Sequence, residues 1–539
     1  MSTHMLAIAT VCCWFSAAAS APEPLLYERF EDTPAGRFCG GVSFTPDVIG
    51  WGGLTVPNQR AAVFDGRPEA GLDYGTARKV ATEDFTVEAF VKLTAPPTYD
   101  AIAADWNEDG DQRAWAFVIL PSRGLRFDVS PDGKFYSGNV LTTGPQVLRL
   151  NTWYHVAAVS QGTTSRIYVN GRELASGKRS LPGIFTTGKG HLKVGTAERY
   201  ATEGPRPLHG CLDEVRITPR ALAPAEFLRT KEPLPEVRPP GAPMSFDMPF
   251  TAIDKPAAEA WQKAARARLL ELVAAQEPRR SASQLPLDVQ VGASQDKDAY
   301  VLSRFSFQGN TKAGQRYPGL LAVPKGKGPF PAMLALHGHC GSAEAVFDPK
   351  SIYHGLADRF ARGGYVVLAP SFPHRRYAAV TLWDLFRCVD ILAARPEVDP
   401  QRMGVGGLSM GGEFTMWIAA CDERLKAAVV SGWMCTTEGV FSVPNCECWQ
   451  LPGFVELMDV CEVHLLIAPR PVLCESAEQD GCFPIRHTRA GFERIRAGYR
   501  VFGVEASAQQ DTWPAGHEWH GVVAYPFVDK VLGGHSREP

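Results

Sequence analysis

The chain has 539 residues, 55 Lys and Arg against 58 Asp and Glu, a net charge of −3, 45% hydrophobic residues and 21% charged ones. That length accommodates two large domains or three to four smaller ones, and the apolar content excludes a mainly disordered protein. The near-neutral balance and the lack of a basic tract argue against nucleic acid as the main partner.

Residues 6–15 form a short apolar stretch followed by Ser16-Ala17-Ala18-Ala19-Ser20-Ala21, which offers A-x-A-like cleavage near Ala19 or Ala21. Residues 1–21 therefore read as a secretory signal. This places the mature protein outside the cytoplasm, as a secreted, periplasmic or cell-surface protein. Elsewhere no apolar run approaches the roughly 18 residues of a spanning helix, so no membrane span is expected.

Of the 13 Cys, Cys12 and Cys13 would leave with the signal. The odd number remaining does not imply a dense disulfide framework. Cys39 and Cys211 are candidates for a bridge between terminal strands of the first domain. Cys446 and Cys448, with Cys435, Cys461, Cys474 and Cys482 nearby, invite a zinc reading. Their C-x-C spacing is not that of a zinc knuckle, however, and no second ligand pair stands at finger spacing, so disulfides or buried thiols are the expectation.

Residues 26–231 carry short alternating runs punctuated by Gly, Pro, Asn and Asp. Phe85-Thr86-Val87-Glu88-Ala89-Phe90-Val91 and Trp153-Tyr154-His155-Val156-Ala157-Ala158-Val159 alternate at period two. Arg166-Ile167-Tyr168-Val169 does so too, and Asn170-Gly171 then supplies a type I′ hairpin turn. The expectation is an all-β jelly-roll sandwich. The phrases Asn151-Thr152-Trp153-Tyr154-His155-Val156-Ala157, Ile167-Tyr168-Val169-Asn170-Gly171 and Leu212-Asp213-Glu214-Val215-Arg216-Ile217 resemble the laminin-G-like, concanavalin A-like family. The resemblance implies a module that binds carbohydrate or protein, sometimes through calcium. The stretch Asp105-Trp106-Asn107-Glu108-Asp109-Gly110-Asp111 begins like a calcium loop, but Ala116 stands where the bidentate Glu belongs, so a polar hairpin tip is the better reading. Trp106 or Tyr136, if exposed, could stack on a sugar ring, with burial in the core as the alternative.

Residues 232–245 are Pro-rich and read as a semi-rigid linker. Beyond it, 246–539 change texture, with a helical pattern at 257–276 and then alternating strand and helix signals. Pro331-Ala332-Met333-Leu334-Ala335-Leu336 and Tyr365-Val366-Val367-Leu368-Ala369 are the continuous apolar runs that parallel strands buried on both faces require. This second domain is expected to be α/β with a mostly parallel sheet.

Gly407-Leu408-Ser409-Met410-Gly411 lies between a strand signal at 402–406 and a helix signal at 413–420. Small residues two before and two after Ser409 let a strained strand–helix turn lift its hydroxyl out of the sheet, which marks Ser409 as a nucleophile. A serine needs a base and an orienting carboxylate, which in this arrangement follow it in the order acid, then His. Asp480, after the strand signal at 471–477, is the expected acid, with Glu478 in reserve. His517, after Gly516, is the expected base, with His520 in reserve. His374, His464 and His487 read as packing or surface residues. Two backbone donors should hold the oxyanion: Met410, and either His339 or Cys340 from the loop His337-Gly338-His339-Cys340-Gly341. A purely structural role stays open for the side chains of His337 and His339.

The motifs Leu321-Ala322-Val323-Pro324, Leu336-His337-Gly338-His339, Arg395-Pro396-Glu397-Val398-Asp399-Pro400, Gly407-Leu408-Ser409-Met410-Gly411-Gly412, Ala468-Pro469-Arg470-Pro471 and Gly516-His517-Glu518 resemble the dienelactone hydrolase and acetyl xylan esterase branch of the α/β-hydrolases. The resemblance implies Ser409, Asp480 and His517 as the triad of an esterase that needs no metal or organic cofactor. Residues 433–461, aromatic and Cys-rich, are expected to form part of the pocket wall. The function anticipated is a secreted serine esterase for carbohydrate esters, held near polysaccharide by the sandwich. A serine peptidase or amidase with the same triad is the alternative, as is a binding protein with a degenerate hydrolase domain.

Overall fold

A computed structural model describes residues 23–49, 58–200, 205–230, 233–311, 313–374, 378–443, 445–446 and 448–533. The expected signal segment lies outside the described residues. No described helix is long and apolar enough to cross a membrane.

The N-terminal part is a sandwich of two antiparallel sheets. One runs in the order Arg172–Lys178, Thr164–Val169, Trp153–Gln161, Phe85–Leu93, His209–Thr218, Ala61–Asp65, Val42–Thr45, with Leu26–Glu28 added against His209–Thr218. The other runs Val140–Thr142, Leu125–Gly133, Gln112–Ile119, Asp100–Asn107, Leu192–Val194, Leu72–Asp73, Arg37–Phe38. Period-two alternation explains the packing: Phe85, Val87, Ala89 and Val91 enter the core between the sheets. Phe85 meets Trp115 and Phe127 of the opposite sheet at ring separations of 5.7 and 5.8 Å. The turn Asn170-Gly171 has φ of 53° and 75°, the two positive values a type I′ hairpin requires.

One expectation needs correction here, and one open alternative is decided. Cys39 and Cys211 are both free thiols. Cys39 follows the edge strand of one sheet, whereas Cys211 lies inside the other, opposite Val63 and Lys92. Trp106 is 2% exposed and packs against Tyr200, so it cannot meet a sugar. The described part of the Pro-rich stretch, residues 233–245, packs against the sandwich. Val237 joins the sandwich core, Asn170 donates to the Pro235 carbonyl, and Arg238 donates to carbonyls of Pro145, Ala242 and Pro243. The acidic stretch at 105–111 is a hairpin tip whose carboxylates are engaged by cations: Asp105 by Lys79, Asp109 by Arg199 and Asp111 by Arg113.

The C-terminal part is built on a nine-stranded sheet. Its order is Gln290–Asp296, Tyr300–Gln308, Arg316–Pro324, Val366–Pro370, Phe330–Leu336, Val398–Leu408, Leu425–Ser431, Val472–Ala477, Ala508–Trp513. The first four strands pair antiparallel and the remaining pairs are parallel. The central strands are buried along their lengths, which is why they read as unbroken apolar runs. Helices Lys255–Gln276, Ala378–Ala393, Met410–Cys421 and Ile485–Val501 surround them. Asp254 caps the first of these, accepting from the Ala257 N–H at 2.9 Å. The two parts touch through residues 455–457. Arg123 pairs with Glu456 at 2.7 Å and Gln146 donates to the Val455 carbonyl, while within the C-terminal part the N–H groups of Asp247 and Met248 donate to the Glu456 and Leu457 carbonyls.

Candidate active site

The strand Val398–Leu408 ends in the middle of the parallel sheet and the helix Met410–Cys421 starts immediately after Ser409. Ser409 has φ 63° and ψ −126°, a conformation costly for a non-glycine residue and typical of a nucleophile turn. The neighbouring glycines make that turn possible. A Cβ on Gly407 would stand 2.5 Å from the Leu336 carbonyl oxygen, and one on Gly411 only 2.1 Å from it. The Ser409 N–H donates to the Ser431 carbonyl at 3.0 Å, locking the turn to the next strand.

Asp480 and His517 come together from the loops after the strands Val472–Ala477 and Ala508–Trp513. His517 Nδ1 stands 2.7 Å from Asp480 Oδ2. The other Asp480 oxygen accepts from the Cys482 and Phe483 N–H groups at 2.8 and 3.3 Å, so the carboxylate is fixed by its own turn. The imidazole lies against Gly432, the residue after Ser431, and nearly parallel to the Phe483 ring at 6.1 Å. Ser409 and His517 form no hydrogen bond in this structure; nucleophile–base contacts of this kind commonly tighten only around substrate.

The reserve candidates are occupied elsewhere. Glu478 pairs with Arg489 at 2.6 Å. His520 bonds to Asp511 at 2.6 Å and stacks on Trp513 at 4.5 Å. His487 lies 3.4 Å from the Thr436 hydroxyl. His464 is fully buried, which pushes its pKa down to about 4.

The loop 337–341 stands directly against the nucleophile, since a Cβ on Gly338 would lie 2.8 Å from Ser409 Cβ. The Gly338 N–H donates to the Tyr353 hydroxyl at 2.6 Å. Of the two sequence candidates, neither the His339 nor the Cys340 N–H is engaged by another group among the described residues. Cys340 takes a positive φ of 54°. Met410 opens its helix, where backbone N–H groups lack intrahelical partners. The His337 side chain is structural: Nε2 accepts from the Phe372 N–H at 3.0 Å, so Nδ1 carries the proton toward the Gly338 carbonyl at 2.8 Å.

The 433–461 segment walls the site. Trp433 meets Phe483 at 5.1 Å and Trp449 at 6.1 Å. Bridges or buried thiols are the sequence-based expectation here. The described cysteines are free, and Cys435, Cys461 and Cys474 are buried. Cys446 and Cys448 behave differently, because they meet His374 and His339. His339 Nε2 lies 3.0 Å from Cys448 Sγ, and His374 Nε2 3.2 Å from Cys446 Sγ. Hydrogen bonding from Cys448, and from both imidazoles, holds the Cys446 thiol far below its ordinary pKa, while the Cys448 thiol is pushed up. Spacing along the chain gives no sign that His374 belongs to this group.

Residues 68–227 match the concanavalin A-like lectin/glucanases superfamily. Residues 373–439, which include the Ser409 turn, match the prolyl oligopeptidase family. YtaP of Bacillus subtilis strain 168, named as a hydrolase, is 25% identical over 247 residues, covering 40% of this chain and 82% of that protein. The chain joins a concanavalin A-like sandwich to an α/β-hydrolase. Solved structures similar to the α/β-hydrolase include the methylesterase BT1017, at 19% identity, covering 53% of this chain and 66% of its own, with a TM-score of 0.44. A glucuronoyl esterase from Solibacter usitatus is 15% identical, covers 54% and 97%, and has a TM-score of 0.41.

Proposed function

We propose that this α/β-hydrolase is a secreted serine esterase acting on carbohydrate esters through Ser409, His517 and Asp480. The observation that carries the reading is the His517–Asp480 hydrogen bond, formed beside a Ser409 held in a strained turn. His517 Nε2 takes the Ser409 proton, and Asp480 holds the Nδ1 proton in place and stabilises the imidazolium. The Ser409 oxygen attacks the ester carbonyl, and the N–H groups of Met410 and of His339 or Cys340 receive the developing oxyanion. His517 returns its proton to the leaving alcohol, and water then hydrolyses the acyl-enzyme by the same route. In this proposal residues 26–231 and 246–539 are two folding units, and the sandwich binds polysaccharide or protein to hold the enzyme near its substrate.

The prolyl oligopeptidase match favours a second reading, a peptidase with the same three residues. Hydrolysis of 4-nitrophenyl acetate, acetylated xylan and a chromogenic prolyl peptide by wild type and Ser409→Ala separates the two. Ester hydrolysis that vanishes in Ser409→Ala supports the esterase. Peptide hydrolysis without ester hydrolysis transfers the site to the peptidase reading, and a wild type inert to all three and unlabelled by a fluorophosphonate sinks both.

A further inference from the structure

We propose that His339, His374, Cys446 and Cys448 form a structural zinc site that ties the loop beside the nucleophile to the pocket wall. Three separate parts of the chain converge on it. His339 belongs to the loop after Phe330–Leu336, His374 to the loop after Val366–Pro370, and the two cysteines to the 433–461 segment. One ligand atom from each of the four residues lies within 4.8 Å of the others.

The donor set suits the metal. Two sulfurs and two imidazole nitrogens in a closed tetrahedron are a zinc set, and four protein ligands leave no open position for a reacting water. Metal–ligand distances of about 2.0–2.3 Å correspond to tetrahedral edges of about 3.3–3.8 Å. The two nitrogen–sulfur contacts, at 3.0 and 3.2 Å, need to open by only about half an ångström to reach such edges. The imidazole planes cross at 55° with centroids 5.0 Å apart, so the rings are not stacked in a way that would turn both nitrogens from a common centre.

A second observation points to the same place. Glu413 is 1% exposed, and neither of its carboxyl oxygens has a well-formed hydrogen bond among the described residues, with only the Trp417 indole near enough to temper its charge. It lies within the electrostatic reach of both Cys446 and Cys448. A buried carboxyl so poorly partnered beside two sulfurs is costly. A divalent cation held by those sulfurs offsets the two thiolate charges that would otherwise stand beside this buried carboxyl. Binding releases the thiol protons to solvent, leaves both sulfurs as thiolates and changes no oxidation state.

The site would fix the 337–341 loop, which carries both remaining oxyanion-donor candidates, without taking part in the reaction. Its test does not depend on what the enzyme hydrolyses. The full chain, reduced and reconstituted with zinc, is desalted and its metal content measured, and cobalt(II) is then substituted for spectroscopy. About one metal per chain is expected, with sulfur-to-cobalt charge transfer and the intense visible bands of a tetrahedral centre. Cys446→Ser with Cys448→Ser should abolish both signals. His374→Ala, at an exposed position, should weaken zinc binding by at least about 100-fold against a competing chelator while circular dichroism shows the fold intact. Failure of the reduced wild type to retain stoichiometric zinc overturns the proposal. So does equal retention by the folded variants, or a Cys446–Cys448 disulfide that persists in place of metal.

Discussion

Substituting Gly432 by Ala tests whether the position of His517 matters to the reaction. Gly432 follows the strand Leu425–Ser431 with φ 54°, and its N–H donates to the Glu475 carbonyl at 3.0 Å. A Cβ there would stand 2.9 Å from Leu408 Cδ1, 3.0 Å from His517 Cε1 and 3.2 Å from His517 Nδ1. Ordinary carbon contacts begin near 3.4 Å, so the ring must retreat by about half an ångström against a hydrogen bond to Asp480 already 2.7 Å long. A misplacement of 1 Å costs on the order of 100-fold in rate, so a loss of about 10-fold or more in kcat is expected, with KM little changed. The left-handed backbone adds a stability cost of about 1–2 kcal/mol. Gly364→Ala separates the two effects, because Gly364 has φ 87° and nothing within 4 Å of its Cβ position. It should lower Tm and leave kcat alone. Steady-state hydrolysis of 4-nitrophenyl acetate and thermal denaturation of both variants supply the numbers. Wild-type kcat in Gly432→Ala, or the same kcat loss in both variants, would refute the placement argued for His517.

Two further outcomes follow from buried charges. Glu475 is fully buried, and desolvation raises its pKa to about 7 although it accepts from the Gly521 and His520 N–H groups. A carboxyl whose folded pKa is raised contributes stability at low pH and loses it as pH climbs through the folded value. Glu475→Gln should therefore flatten the fall in urea midpoint between about pH 4.5 and 7, a window in which the wild type gives up roughly 3 kcal/mol; parallel profiles would contradict this. Arg123 and Glu456 pair across the two halves with side chains only 17% and 11% exposed. Arg123→Ala leaves a buried carboxyl whose pKa burial already raises, so protonation softens the loss to about 1–3 kcal/mol. Faster limited proteolysis within 233–245 and separation of the two melting transitions are expected, and unchanged cleavage would show that the pair does not hold the halves together.

Local pattern carried most of the fold. Alternation exposed the sandwich because every second residue of Phe85–Leu93 enters the core between the sheets while the other face buries polar groups such as Glu88, paired with His155 and Arg216, and unbroken apolar runs exposed the parallel strands because both their faces are covered by apolar packing. The same logic leaves Trp106 undecided between solvent and core. The strand Asp100–Asn107 is buried on both faces, so neither side of its alternation marks solvent. Cys39 and Cys211 failed for a related reason, since proximity to the two ends of a domain does not say which sheet each strand joins. At the active site the glycines flanking Ser409 were readable because the turn leaves no room for a Cβ. The meeting of His339, His374, Cys446 and Cys448 was not, because it depends on three loops that only the sheet order brings together.

The 433–461 segment is where these threads meet. Trp433 packs on Phe483, which lies along the His517 ring, so one end of the segment bears on the base. Cys446 and Cys448 reach the 337–341 loop beside the nucleophile. Glu456 takes Arg123 from the sandwich, and its carbonyl accepts from the N–H of Asp247, just after the linker. A change in how the sandwich sits can therefore be felt at residues 455–457, and from there along a segment that touches both the base and the oxyanion loop. The contact with the sandwich and the wall beside the base are thus carried by the same stretch of chain, which also packs on the nucleophile helix through Phe454 and Trp417 and on the turn that holds Asp480, where the Asn445 amide donates to the Cys482 carbonyl.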